Sequence, residues 1–226
     1  MEEMKLLWFS TIGVIILFMA ALGILINKKV FGILIDSRCK MSLSRLQLVL
    51  WTILIVSCIF ALSIYYQSMD ITIDERIWAL LGVSIGSTAG AIMIKGVKQV
   101  NQPSDKLVAS LSSETSNEGL LHVTNSVNKA KFSDMFKGDE ISDYNYIDIS
   151  KVQMFFFTVA AWFGYVGVIW SHTFKVVKEI TNAANETITQ TVYVFPELST
   201  GIITLIGISH VGYLTVKATD KTPKQQ

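Results

Sequence analysis

The stretch LSRLQLVLWTILIVSCIFALS, residues 43–63, begins a long apolar run with polar side chains. Ser44, Arg45 and Gln47 lie among its first five residues, and a long uncharged run follows. The same pattern recurs in ISKVQMFFFT, residues 149–158, where serine, glutamine and threonine keep their spacing and lysine replaces arginine. A polar start that appears in two separate apolar runs indicates a duplicated structural element.

Charged residues are scarce in this chain and are absent from long stretches of it. They make up 16% of the 226 residues, against about 25% in soluble domains, and the mean hydropathy is +0.47. Five stretches contain no Asp, Glu, Lys or Arg: 6–27, 46–69, 77–94, 152–174 and 198–216. Each approaches the roughly 20 apolar residues that cross a hydrocarbon layer. The sequence therefore predicts an all-α polytopic membrane protein with five transmembrane helices.

The first apolar stretch is predicted to be a retained helix rather than a signal peptide. Its N-terminal flank holds Glu2 and Glu3 beside a single lysine, and no A-x-A-like cleavage site follows the apolar run. We therefore expect this helix to remain part of the membrane-spanning region.

Lysine and arginine alternate with the predicted helices. The segment 28–45 holds five of them, the loop 95–151 holds seven lysines and the tail 217–226 holds three, whereas 70–76 holds one and 175–197 holds two. Because basic residues favour the cytoplasmic side, this alternation predicts an N-terminus outside and a cytoplasmic C-terminus. The net charge of +1 gives no indication of a nucleic-acid partner.

Two short motifs occur in the same order in both halves of the chain. S-x-x-Q-x-x-x-x-T opens one apolar run in each half, and S-x-x-G-x-x-x-x-K closes the next. The motif residues are Ser44, Gln47, Thr52, Ser87, Gly90 and Lys95 in the first half, and Ser150, Gln153, Thr158, Ser209, Gly212 and Lys217 in the second. Because each half holds two helices, both halves enter the membrane in the same sense. This predicts two parallel two-helix repeats, related by an axis along the membrane normal, plus an N-terminal helix.

On this basis the chain divides into five predicted parts. They are an N-terminal transmembrane helix with a cytoplasmic linker (1–45), a first repeat (46–95), a cytoplasmic loop (96–147), a second repeat (148–217) and a cytoplasmic tail (218–226). The polar loop is expected to be a small folded unit or a partly disordered segment that recruits a cytosolic protein. Its acids Asp134, Asp139, Glu140 and Asp143 lack the spacing of a calcium loop, so they predict a solvated acidic surface rather than a metal site.

Three segments that contain these motifs resemble a family of bacterial multi-pass membrane proteins. They are GILIDSRCKMSLSRLQLVLWT (32–52), FSDMFKGDEISDYNYIDISKVQMFFFT (132–158) and FPELSTGIITLIGISHVGYLTVK (195–217). The resemblance covers most of the chain from residue 32 onward, apart from the external loops and 96–130. It implies a bacterial inner-membrane setting, and it implies no particular activity.

The motifs predict a polar layer inside the membrane, near its cytoplasmic side. Its members are Gln47, Thr52, Ser87, Gln153, Thr158, Ser209 and His210. At the helical rise of 1.5 Å per residue, the threonines lie roughly 10 Å inside the cytoplasmic boundary. Such groups form interhelical hydrogen bonds or line a polar vestibule or ion path. His210 is a histidine well inside a predicted span, so it is a candidate for gating as well as for hydrogen bonding.

Glycines predict close helix packing. Gly82, Gly86 and Gly90 are spaced four residues apart in one predicted helix, and Gly212 occupies the motif position in the second half. Small residues at this spacing let helices approach closely, within one chain or between subunits. A glycine-lined pore face is the alternative.

The sequence gives no set of residues for a catalytic centre. H-E-x-x-H and a P-loop are absent, and the G-x-S-x-G match at residues 82–86 lies inside an uncharged stretch predicted to be a membrane helix. The cysteines, Cys39 and Cys58, lie in a predicted loop and a predicted helix. We therefore predict neither enzyme activity nor a cofactor. Two function classes remain: an oligomeric pore or transport component of a bacterial inner-membrane system, which the sequence slightly favours, and a membrane anchor or receptor whose loop 96–147 recruits a partner. Both predict a homo-oligomer in the lipid bilayer.

Overall fold

Five long helices dominate the structure, a computed structural model that describes residues 2–111, 115–181 and 187–225. They are α1 (Glu2–Asn27), α2 (Leu43–Tyr66), α3 (Glu75–Val100), α5 (Ile149–Ser171) and α6 (Thr200–Ala218), and a short helix, α4 (Asp105–Ser110), follows α3. Each of the five long helices is long and apolar enough to cross a membrane. The prediction of five such helices is confirmed.

Local chemistry explains several helix ends. The Asp74 carboxylate accepts the amide of Arg76 at the start of α3, and the Asp148 carboxylate accepts two amides at the start of α5. A carboxylate at this position also interacts favourably with the helix dipole. At the other end of α2, Gln67 adopts a left-handed backbone with φ of 50°, which stops the helix after Tyr66.

The all-α prediction is wrong in part, because the described residues also form strands. β4 (Lys175–Thr181) and β5 (Thr187–Val194) form an antiparallel hairpin, and β1 (Ile71–Thr72) adds to β5 in parallel. The hairpin segments are rich in valine, isoleucine and threonine, which favour strands. The sheet joins the two connections that lie at one end of the helices, which we call the hairpin end.

The helices form a ring with one helix outside it. α2 packs on α3 and α5, and α6 also packs on α3 and α5, whereas α1 packs on α2. Few residues of α1 are buried, among them Trp8 and Gly23. The Trp8 indole donates to the Ser57 hydroxyl over 3.0 Å. Gly23 and Gly32 approach so closely that a side chain at Gly32 would lie 2.5 Å from the Gly23 carbonyl oxygen.

Apolar side chains fill the interior of the ring. A large core occupies the half nearer the hairpin, and its largest fully buried members include Trp51, Leu54, Ile77, Tyr165 and Phe195. A smaller core lies at the opposite end and contains Leu34, Leu43, Ala91, Met135, Met154 and Tyr213. The centre of a single chain is therefore packed rather than open.

The connections opposite the hairpin fold onto the helix ends. We call this region the cap, defined as the described residues of 28–42, 101–148 and 219–225. It contains α4, a hairpin of β2 (Ser116–Glu118) and β3 (Leu121–Val123), and three short 3-10 helices, Gly32–Leu34, Val127–Lys129 and Phe132–Phe136. Leu120 and Leu121 are fully buried in it. The Leu120 amide donates to the Lys98 carbonyl over 3.0 Å, which fastens the cap to α3.

Candidate functional site: a buried charged layer

Two carboxylates and four cations form a connected layer where the cap meets the helices. Asp36 accepts from Arg38 at 3.0 Å and from Lys95 at 2.6 Å. Asp139 accepts from Arg38 at 2.9 Å, from Lys151 at 3.0 Å and from Lys217. We call these six residues the charged layer. Their side chains are at most 13% exposed, so the ion pairs are shielded from water.

Each carboxylate is positioned by a closed loop directly before a helix. A bridge between Ile35 and Met41 closes the loop that carries Asp36, and α2 follows it. A bridge between Lys137 and Ile147 closes the loop that carries Asp139, and α5 follows. The two halves of the chain thus build their carboxylates in the same way.

The lysines of the second motif are the partners of these carboxylates. Lys95 at the end of α3 pairs with Asp36, and Lys217 at the end of α6 pairs with Asp139. Each pair joins the loop before the first helix of one half to the second helix of the same half. Arg38 joins the two halves by binding both carboxylates. The arrangement links the cap to three of the five long helices.

Neighbouring cations lower the pKa values of both acids in the charged layer. Burial raises the pKa of Asp36, but Arg38 and Lys95 outweigh it and hold this pKa below its usual range. Burial likewise raises the pKa of Asp139, yet Arg38, Lys151 and Lys217 hold it well below its usual range. Both acids therefore remain charged at neutral pH.

Lys40 adds a further buried cation beside the layer. It is 4% exposed, and none of the ion pairs among the described residues includes it. Burial and the nearby Arg38 lower the pKa of Lys40 to about 8. Positive charge is thus in excess where the cap meets the helices.

A second buried pair fixes the C-terminal tail. Lys98 of α3 binds the Glu140 carboxylate and donates to the Thr219 carbonyl over 2.9 Å. The other oxygen of Glu140 accepts the amides of Lys221 and Thr222, at 2.9 and 2.6 Å. This pair joins α3, the cap and the end of α6.

Sequence reasoning missed most of this site. The acids at 139 and 140 were predicted to be solvated, and that prediction is wrong, because Asp139 bonds three cations and Glu140 is 1% exposed. Asp36 and Arg38 were not singled out. An acid does precede the S-x-x-Q motif in both halves, but Asp36 lies eight residues before its motif serine and Asp139 lies eleven before, so no fixed spacing marks these acids.

The predicted polar layer lies deeper than the charged layer, and it is asymmetric. Gln47 is buried and its side-chain amide donates to the Thr158 hydroxyl of α5. Thr52 is half-buried. Gln153 is exposed, so the expectation that both glutamines face neighbouring helices is wrong for Gln153. The cause is a rotation of α5, whose buried positions come about one residue later than the corresponding positions of α2.

Three predicted polar residues are buried without partners. The Ser87 and Ser209 hydroxyls and both ring nitrogens of His210 make no hydrogen bond within the described part of the chain. The hydrogen bonding predicted as one role of His210 therefore does not occur among the described residues. The next residue of α3, Thr88, does reach α2, where its hydroxyl lies 3.3 Å from the Ser44 carbonyl oxygen.

The glycines divide between an internal contact and the outer surface. A side chain at Gly90 would lie 3.3 Å from Leu214 of α6, so this glycine permits close packing of α3 and α6. Gly82, Gly86 and Gly212 face open space. Of the two kinds of contact predicted for these glycines, the one within the chain is not formed at these three positions, and a contact between subunits stays a prediction.

Comparisons with protein-family models, with curated proteins and with solved structures find no match to this chain. The resemblance to a bacterial membrane family accordingly stays a prediction. Fold and site define a mostly helical protein in which five apolar helices carry a cap fixed by buried ion pairs. No group of three or more potential metal ligands occurs among the residues that the structure describes.

Proposed function

We propose that the chain is a multi-pass protein of the bacterial inner membrane, with its N-terminus outside and the cap in the cytoplasm. Large apolar side chains on the outer faces of the helices support a lipid environment. They include Leu17 at 71%, Met93 at 73%, Phe163 at 63% and Ile208 at 66% exposure. The basic residues of the cap support its cytoplasmic placement.

Topology reporters test this placement directly. Fusions after Lys29, Lys98 and Gln226 are expected to report the cytoplasm, and an insertion in the connection after Asp70 is expected to report the outside. The physical reason is the concentration of lysine and arginine at the cap end of the helices. A periplasmic report from any of the first three positions contradicts the orientation.

We further propose that the protein is a membrane anchor or receptor that presents the cap to a cytosolic partner. The observation that carries this proposal is the charged layer, which fixes the cap to α3, α5 and α6 through buried ion pairs. Replacing one partner of such a pair is costly, so buried pairs favour a single arrangement of the groups they join. A cap held in one orientation suits recognition of a partner.

An oligomeric pore or transport component is the second candidate. The unpartnered Ser87, Ser209 and His210 favour it. Buried polar groups without hydrogen bonds are costly, and the ions or water molecules of a path would bind to them. The packed interior of the ring weighs against a path through one chain. A pore would have to form between copies, and the glycine face of α3 at Gly82 and Gly86 is the candidate contact.

Photocrosslinking in native membranes separates the two candidates. A crosslinking amino acid is placed at exposed cap positions, Tyr146 or Lys106, and at the outer face of α3, Ile85 or Met93. The anchor proposal expects a discrete product with a second, soluble protein from the cap positions. Conductance in liposomes that His210→Ala abolishes, together with no cap product, would overturn the anchor in favour of the pore.

A further inference from the structure

A basic groove lies beside the charged layer, between the start of α2 and the last turns of α3. Its volume is about 160 Å³, and its lining includes the cations Arg45 and Lys95 and the hydroxyls of Ser42, Ser44 and Thr88. Asp36 also borders the groove, but its carboxylate is already bound by Arg38 and Lys95. The remaining cations and serine hydroxyls can donate to a ligand.

Arg45 brings an uncompensated charge to this groove. Its guanidinium donates to the Ile35 carbonyl over 2.6 Å and to the Ile33 carbonyl over 3.5 Å, both through one nitrogen. No carboxylate pairs with it among residues 2–111, 115–181 and 187–225. A guanidinium has five donor hydrogens in a planar fork that suits oxyanions. The remaining hydrogens of Arg45 are therefore free for an anionic ligand.

The two halves of the chain differ at the same place in their repeated motif. Asp148, two residues before the motif serine of α5, accepts the amide of Ser150 at 3.0 Å and its hydroxyl at 2.5 Å. The corresponding residue before α2 is Ser42, whose hydroxyl contacts the Ser44 hydroxyl at 3.1 Å and caps no amide of α2. At the start of α5, the Asp148 carboxylate supplies a negative charge. At the start of α2, the corresponding residue is the uncharged Ser42, which lines the groove.

We propose that this groove binds a phosphate group through Arg45, Lys95 and the hydroxyls of Ser42 and Ser44. Phosphate offers oxygen acceptors in several directions, which matches donors from α2 and α3, and its charge is favoured at a helix start. The lining also includes the apolar Ala91 and Ile92 of α3, and Ile92 is 61% exposed. An exposed apolar side chain beside the donors suits an acyl chain, so a phospholipid headgroup and a free phosphate are the two sources of the same chemistry.

The phosphate site is independent of the choice between anchor and pore. Binding of a phospholipid headgroup at this site rests on the proposed membrane placement. Binding of a phosphate group to the same side chains does not depend on that placement. Measurements on the purified full chain in a phosphate-free maltoside detergent therefore separate failure of the site from failure of the membrane topology.

Native mass spectrometry and thermal shift can test the site with three probes. They are phosphatidylglycerol, diacylglycerol with the same acyl chains, and inorganic phosphate. We expect saturable binding of phosphatidylglycerol, of inorganic phosphate or of both, and none of diacylglycerol. Binding by phosphatidylglycerol alone assigns the site to a lipid headgroup, and binding by inorganic phosphate alone assigns it to a free anion. Binding by both shows that the phosphate group itself is recognised. Equal retention of diacylglycerol and phosphatidylglycerol, without phosphate binding, overturns the proposal.

Four variants make the test specific. Arg45→Gln is expected to weaken binding about tenfold, as loss of a charge-assisted hydrogen bond predicts, whereas Arg76→Gln at the hairpin end changes the net charge equally and is expected to leave binding intact. Ser42→Asp copies the Asp148 arrangement, so it is expected to abolish binding while preserving thermal stability. Ser42→Asn, which adds no charge, is expected to keep binding. Wild-type binding by both Arg45→Gln and Ser42→Asp overturns the proposal.

Discussion

Asp139 shows at the scale of one residue why a buried charge needs all its partners. Its two oxygens accept from Arg38, Lys151 and Lys217, which come from the cap, α5 and α6. A carboxylate with one such partner would not repay its desolvation easily. With three cations around it, Asp139 is stabilised as an anion and becomes the point where separate parts of the chain meet.

Removing that carboxylate is expected to destabilise the protein strongly. Asp139→Asn leaves Lys151 and Lys217 buried without an anion, which costs about 3–5 kcal/mol in the free energy of unfolding. Thermal unfolding in detergent measures the effect. Asp105→Asn, at an exposed position of the cap, is the matched control and is expected to shift the midpoint little. Equal midpoints for the two variants contradict the role given to Asp139.

The same site predicts acid sensitivity with a defined sign. The pKa of Asp139 is lower in the folded chain than in the unfolded chain, so the unfolded chain binds the proton more readily. The stabilisation is fully present above the usual carboxyl pKa of 3.8 and is lost as pH falls toward the folded value. Asp139→Asn is expected to flatten this part of the stability profile.

At the scale of elements, the two motif-bearing helices differ in rotation. The inward positions of α2 include Gln47 and Trp51, and those of α5 include Met154 and Thr158. As a result Gln47 reaches Thr158, whereas Gln153 lies on the outer face. Equal sequence motifs therefore have unequal surroundings, because helix rotation is decided by the packing of the whole helix face.

This difference gives a matched pair of variants. Gln47→Leu is expected to lower stability by roughly 0.6–1.7 kcal/mol, the range for intramembrane hydrogen bonds, because it removes the donor to Thr158. Gln153→Leu makes the same chemical change on an exposed face and is expected to be neutral or slightly stabilising. Unfolding of both variants in the same detergent measures the difference. Equal losses from both would contradict the observed rotation of α5.

At the scale of the whole molecule, the cap and the helices form one packed unit. Ion pairs link the cap to α3, α5 and α6, and the tail residues of the cap hydrogen bond to its other segments, as in the 2.8 Å bond from the Ser104 amide to the Pro223 carbonyl. Deleting 100–135 would therefore remove part of this unit. Such a deletion is expected to disturb the packing of the helices as well as that of the cap.

Packing inside the cap can be tested without a deletion. Leu121 is fully buried, so Leu121→Ala is expected to lower the free energy of unfolding by about 2–5 kcal/mol. Val108→Ala, at a residue of the cap that is 47% exposed, is the control and is expected to have little effect. Hydrogen exchange is expected to slow at the Leu120 amide in the wild type and to quicken in Leu121→Ala. Rapid exchange at Leu120 in the wild type would show that the cap is not fastened to α3.

The sequence by itself determined the number of the long helices and their approximate positions. Stretches without charge and of spanning length define them, because the apolar character of a segment is a sum over neighbouring residues. The same local chemistry foretold the polar starts of α2 and α5. The two strands of the hairpin also had a local signal, which is their content of valine and threonine. The length and hydropathy of these segments did not distinguish them from a loop.

Only the tertiary structure decided which polar residues meet. Asp36 and Lys95 lie 59 positions apart, and Asp139 and Lys217 lie 78 apart, so neither pair can be read from spacing. The rotation that buries Thr158 and leaves Gln153 outside depends on every side chain along α5. Ion pairing and helix rotation are properties of surfaces brought together by folding, whereas hydropathy is a property of each segment alone, and this is why the helices were predictable and the charged layer was not.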